Sequence, residues 1–118
     1  DTTGSMGPYI DVVKQVAIGI VETTRGPDAQ YTPTNYILSP FNDPTWGPLL
    51  ITRDPQELIN KINNLTADGG GDLPELYYHG LNDALQVCEL DSLIYTFTDA
   101  PAKDAQLRPQ VLGRAIQL

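Results

Sequence analysis

Asp1-Thr2-Thr3-Gly4-Ser5 opens the chain with a carboxylate and two hydroxyls at alternate positions, immediately ahead of a helix-like stretch. The spacing i, i+2, i+4 lets one tight loop aim three oxygens at a single point. Hard divalent cations such as Mg²⁺ take oxygen ligands in near-octahedral geometry. Two later segments bring further donors: Gly69-Gly70-Gly71-Asp72-Leu73-Pro74-Glu75 and Tyr95-Thr96-Phe97-Thr98-Asp99-Ala100. Three loops, each able to bring a hard oxygen, read together as one metal site.

The segments between those loops set the architecture. From Met6 to about Val21, the apolar residues Ile10, Val13, Val16 or Ala17, and Ile20 recur at helical spacing. Ser5 fits as the N-cap of that helix and Pro8 is tolerated in its first turn. A polar loop from Thr23 to about Thr34 leads into a strand over Asn35–Phe41. The turn signal Asn42-Asp43-Pro44 and then Trp46-Gly47-Pro48 separate it from a short second strand, Leu49–Thr52. Strands that close in sequence pair antiparallel as a hairpin, here at a sheet edge. Asp54-Pro55-Gln56-Glu57 is a helix start with a capping carboxylate, proline in the first position and glutamate in the third. Leu58, Ile59, Ile62 and Leu65 follow as its buried stripe. Asp72-Leu73-Pro74-Glu75 repeats the capping pattern ahead of Leu76, Gly80, Leu81, Ala84, Leu85 and Cys88 on one face. Leu93–Thr98 reads as a buried strand with Asp99 leaving its C-terminal end, and Val111, Leu112, Ala115 and Ile116 mark a last helix.

Helices alternating with strands predict an α/β, doubly wound layered fold, with a mainly parallel sheet, helices on both faces and the hairpin as an antiparallel edge. Ligands in such folds sit outside the carboxyl ends of the strands. All three candidate loops fall on that side.

The pattern resembles the von Willebrand factor type A domain, whose metal-ion-dependent adhesion site uses a D-x-T-x-S loop, a second loop before a helix and an Asp after an apolar strand. The hemicentin-type branch is the nearer likeness. Phe41-Asn42-Asp43-Pro44, Gly47-Pro48, Thr52-Arg53-Asp54-Pro55, Gly69-Gly70-Gly71-Asp72 with Pro74-Glu75, and Phe97-Thr98-Asp99-Ala100 with Lys103-Asp104 resemble it in order and spacing. The resemblance implies a Rossmann-like fold and a divalent-metal-dependent protein-binding module, non-enzymatic, in a secreted matrix or cell-surface protein. It implies Mg²⁺, with Mn²⁺ or Ca²⁺ as alternatives, held by Asp1, Thr3, Ser5, Asp72 and Asp99. An acidic side chain of a protein partner would complete the coordination. Many type A domains offer a Thr hydroxyl from the second loop, where this chain has Asp72. Asp1, Asp72 and Asp99 together would set −3 against the cation's +2. Type A domains are also longer than this chain, so residues 1–118 are expected to be a partial domain that lacks the first strand and the C-terminal strands.

Composition narrows the function classes. Of 118 residues, 41% are hydrophobic, which is ordinary for one globular core, and no run approaches transmembrane length. A formal charge of −8 disfavours nucleic acid and anionic membrane surfaces as partners. Cys88 is the sole cysteine, so no disulfide closes within the chain, and its apolar helical setting predicts a buried thiol. Asn64-Leu65-Thr66 is a glycosylation sequon, a triplet common by chance. The glycine run at 69–71 lacks the Gly-Lys-Ser/Thr of a phosphate loop. Asp1-Thr2-Thr3-Gly4-Ser5 departs from an aspartic protease's Asp-Thr-Gly by an inserted Thr. His79, the one histidine, has no Ser or Cys partner singled out by spacing. Glu75 reads as a capping residue and Asp104 as a helix start. Two other functions stay open at this point: an intracellular assembly module within a larger complex, and a metal that only stabilises the loops.

Overall fold

A computed structural model describes residues 1–42, 47–69 and 76–98. The expected sites Asp72 and Asp99, Glu75, Asp104 and the last helix lie outside those residues. The elements run in the order 3₁₀ turn Gly4–Met6, α1 (Ile10–Glu22), β1 (Tyr36–Leu38), β2 (Leu50–Thr52), α2 (Pro55–Asn63) and α3 (Tyr77–Val87).

The start of α1 differs from the sequence expectation. Ser5 lies inside the 3₁₀ turn rather than capping α1, and Tyr9 occupies the N-cap position with no side-chain bond. Ser5 Oγ lies 3.0 Å from Thr3 Oγ1, so its hydroxyl is engaged within the turn, and Pro8 falls between the turn and α1. The chain crosses it with short-range bonds instead: Met6 N–H to the Thr3 carbonyl at 3.0 Å, and Tyr9 N–H to the Met6 carbonyl at 2.8 Å.

β1 and β2 pair antiparallel, Tyr36 opposite Thr52, Ile37 opposite Ile51 and Leu38 opposite Leu50. The expected hairpin is therefore present, with both strands shorter than read from the sequence. Among the described residues the sheet contains these two strands alone, so the parallel pairing of a doubly wound sheet is not seen there. Leu93–Thr98, expected as a buried strand, carries no strand pairing, and Leu93 and Tyr95 are 67% and 56% exposed. Apolar β-type sequence is buried only where a neighbouring strand satisfies its backbone and a covering layer meets its side chains.

α2 follows its sequence closely. The Asp54 carboxylate accepts from the Gln56 N–H at 2.9 Å, and Pro55 fills the first position. Glu57 does not return to the Asp54 N–H as in a simple capping box. Thr52 relays instead: the Asp54 N–H donates to Thr52 Oγ1 at 3.0 Å, and that hydroxyl donates to Glu57 Oε2 at 2.9 Å. Leu58, Ile59 and Ile62 are buried and form one cluster with Val21 of α1, flanked by Ala17, Ile18, Tyr36, Leu38 and Leu50. Val16, one of the two alternatives for the α1 stripe, is exposed. α1, β1, α2, α3 and the 92–97 segment line an apolar groove of about 680 Å³, to whose wall Val21, Leu58 and Ile62 of that cluster belong.

α3 comes close to the chain after β1 through Gly80. A Cβ there would lie 3.2 Å from Phe41 Cβ, so only glycine allows this approach without displacement. Ser39 Oγ adds a bond to the Gly80 carbonyl at 2.6 Å. Cys88 is a free thiol, half-buried rather than buried.

Candidate metal centre

The first five residues fold back on themselves as the alternate spacing predicts. Asp1 Oδ1 accepts from the Thr3 N–H at 3.0 Å and from Thr3 Oγ1 at 2.7 Å. Thr3 Oγ1 lies 3.0 Å from Ser5 Oγ. Thr3 has one hydroxyl proton and gives it to Asp1, so Ser5 is the donor in the third bond. Three oxygens, from the residue types read off the sequence, thus form one continuous chain. Its middle member is the deepest: Thr3 is 1% exposed, Asp1 half-buried and Ser5 exposed.

Backbone contacts from both sides fix this turn. The Asp1 nitrogen donates to the Phe97 carbonyl at 3.1 Å, and the Thr2 N–H to the Phe41 carbonyl at 2.9 Å. Asp1 and Thr2 therefore sit between the chain after β1 and the end of the 92–98 segment. The third contact comes from the loop after α2, where the Asp68 N–H reaches the Thr2 carbonyl and the Gly4 N–H reaches the Gly69 carbonyl, both at 3.0 Å. Gly69 has φ +63°, and a Cβ on Gly4 would fall 3.0 Å from the Gly69 carbonyl oxygen. The loop closes this tightly because both positions are glycine.

Two residues not singled out in the sequence as site members hold the arrangement. Thr98 Oγ1 donates to Asp1 Oδ2 at 2.7 Å, so both Asp1 oxygens accept from threonines in different loops. Asn42 Nδ2 bridges the Thr2 carbonyl and the Asp68 carbonyl, each at 3.0 Å. An Asn in a turn signal reads as turn-forming, and the signal for its bridging role is only its position beside Phe41, which becomes meaningful once Phe41 is seen next to Thr2. The Thr98 hydroxyl lies within the Phe97-Thr98-Asp99 motif, one residue before the carboxylate that marks the motif as a metal loop.

Of the five predicted site residues, Asp1, Thr3 and Ser5 come together, while Asp72 and Asp99 lie outside the described residues. The loop that leads to Asp72 is already in contact at Gly69, and the segment that leads to Asp99 at Thr98. One carboxylate with two hydroxyls is a hard-oxygen donor set, which suits Mg²⁺, Mn²⁺ or Ca²⁺ and not a soft metal. Among the described residues no group of three or more His, Cys, Asp or Glu side chains gathers, here or elsewhere, and Asp1 is the one carboxylate of this oxygen chain. No helix there is long and apolar enough to cross a membrane.

Comparison with known proteins shows the family. The von Willebrand factor A domain family profile matches residues 1–117. Human von Willebrand factor A domain-containing protein 7 is 44% identical over 111 residues, which is 94% of this chain and 12% of that protein. Mouse hemicentin-1 is 40% identical over 116 residues and mouse hemicentin-2 36% over 112, in each case 95% of this chain and 2% of the relative. No solved structure matches the chain. With the family profile covering nearly every residue and the D-x-T-x-S oxygens drawn into one chain, this protein belongs to the von Willebrand factor A domain family and has its α/β class of fold.

Proposed function

We propose that the domain is a divalent-cation-dependent protein-binding module, without catalysis, in an extracellular matrix or cell-surface protein. Thr3 and Ser5 would ligate Mg²⁺ directly, while Asp1, Asp72 and Asp99 would ligate it or hold its ordered waters. Mn²⁺ or Ca²⁺ are the alternative ions. The cation would supply a Lewis-acidic contact for an acidic side chain of the partner. The observation that carries this reading is the Ser5–Thr3–Asp1 oxygen chain, which opens to solvent at Ser5. Adjacent loops already hold it, so few groups need rearrangement to present oxygens to an ion. Similarity to the hemicentins supports the extracellular setting, and the charge of −8 fits a cation site better than a nucleic-acid surface.

Calorimetric titration of the full-length protein with Mg²⁺ tests it. One carboxylate charge ~4 Å from an ion, at an effective dielectric of ~20, is worth up to ~4 kcal/mol before screening. Asp1→Ala and Asp99→Ala should each lower Mg²⁺ affinity by at least ~100-fold, and Asp72→Thr by less. Unchanged affinity in both alanine variants would remove the metal site from these residues.

A further inference from the structure

We infer that Asn64 is a site of N-linked glycosylation, standing beside the loop that closes the candidate metal centre. Asn64-Leu65-Thr66 is the single Asn-X-Ser/Thr triplet in the 118 residues. Such a triplet is weak in sequence alone, and its meaning depends on a surface position. Asn64 occupies the C-cap of α2, with φ −89° and ψ −3°. Its backbone N–H is satisfied by the Asn60 and Lys61 carbonyls, each at 3.2 Å. Asn64 and Thr66 are both exposed, while Leu65 between them turns inward to a half-buried position. The Leu65 N–H, bonded to the Ile62 carbonyl at 3.1 Å, holds that alternation. Both side chains needed for transfer therefore face solvent, and the buried stripe of α2 at Leu58, Ile59 and Ile62 is left undisturbed.

The position ties the sugar to the site. Lys14 of α1 donates to the Asn63 carbonyl at 3.1 Å, which holds the end of α2 against the early turns of α1. Four residues after Asn64, Asp68 and then Gly69 bond to Thr2 and Gly4. A glycan on Asn64 thus rises from the rim that leads into the Asp1–Ser5 turn.

In the transfer, Asn64 Nδ2 bonds to the anomeric carbon of an oligosaccharide carried on a lipid pyrophosphate. The bond between that carbon and the pyrophosphate oxygen breaks, Nδ2 loses one proton and the lipid pyrophosphate departs. Nothing is oxidised or reduced.

The inference rests on passage through the secretory pathway, as proposed above, and the test separates the two. The full-length chain is expressed in a eukaryotic secretory cell with its own N-terminus and, in parallel, behind a supplied secretory leader. Secreted and endoplasmic-reticulum pools are treated with peptide-N-glycosidase in heavy-oxygen water, which converts a glycosylated Asn64 side chain to an isotope-labelled carboxylate. The label is expected at this position in both arms, abolished by Asn64→Gln and by Thr66→Ala and retained by Thr66→Ser. Label in the leader arm alone supports the site and overturns the extracellular setting. Unmodified Asn64 in both pools of the leader arm overturns the site and leaves the setting untouched.

Discussion

Asp1–Met6 and Leu93–Thr98 meet at the Asp1 nitrogen on the Phe97 carbonyl and at Thr98 Oγ1 on Asp1 Oδ2, yet they are packed in opposite ways. The first is polar in sequence but holds the two most deeply buried side chains among the described residues, Met6 and Thr3. The second is apolar in sequence and largely exposed. Hydropathy states what a side chain prefers, while burial depends on what its neighbours supply. The Asp1–Met6 turn receives backbone partners from three loops and a side-chain bridge from Asn42. The 93–98 segment faces the apolar groove with no strand paired to it among the described residues. Burying Thr3 costs little here because its hydroxyl is bonded to both Asp1 and Ser5.

The largest expected effect sets the packed side of the molecule against the 93–98 segment. Ile62→Ala removes buried atoms from the Val21–Leu58–Ile59–Ile62 cluster and should lower local stability by ~2–5 kcal/mol. Leu93→Ala, at a largely exposed position, should stay within about 0.5 kcal/mol. Native-state hydrogen exchange of the α2 amides in the 118-residue chain measures both. Equal losses would mean that Leu93 is covered as well as Ile62 is, and the contrast would fail.

Asn42→Asp probes the bridge that sets the turn apart. It removes the only donor of that side chain and places a carboxylate against the Thr2 and Asp68 carbonyls. Leaving bonded carbonyls without their donor costs about 1–3 kcal/mol. Protection of the Asp68 amide, whose partner is the Thr2 carbonyl, should fall by about tenfold or more. Unaltered protection would show that backbone bonds alone hold the loop.

Gly80→Ala gives a smaller effect with opposing contributions. Alanine favours the helix by about 1 kcal/mol over glycine. The new Cβ would crowd Phe41, a buried residue whose carbonyl is already engaged by Thr2, and overpacking costs about 1–3 kcal/mol. We expect net destabilisation of about 1 kcal/mol, with faster exchange at the Thr2 amide. A net gain in stability would show that Phe41 moves freely, and that α3 exerts no hold on the site.

Sequence reading succeeded where one local rule decided the outcome. Asp54-Pro55 started α2, Leu58, Ile59 and Ile62 were its core face, and the alternate oxygens of Asp1, Thr3 and Ser5 did converge. Its misses involve distant partners. Ser5 as a helix cap lost to Thr3, which took its hydroxyl. Glu57 acts through Thr52, five residues earlier and on a different element. The Asn42 bridge depends on Thr2 and Asp68, far away in the chain, and no periodicity encodes that meeting. Exposure of Leu93–Thr98 likewise depends on which elements lie beside it.

Anomalous scattering from crystals of the full-length protein grown with Mn²⁺ locates the ion without depending on a partner or on stability. One strong peak is expected within ligand distance of Thr3 Oγ1 and Ser5 Oγ, with carboxylates of Asp1, Asp72 or Asp99 in its inner or water-linked shell. A Mn²⁺ peak bound elsewhere, with the Ser5–Thr3–Asp1 hydrogen bonds intact and no ion beside them, would contradict it.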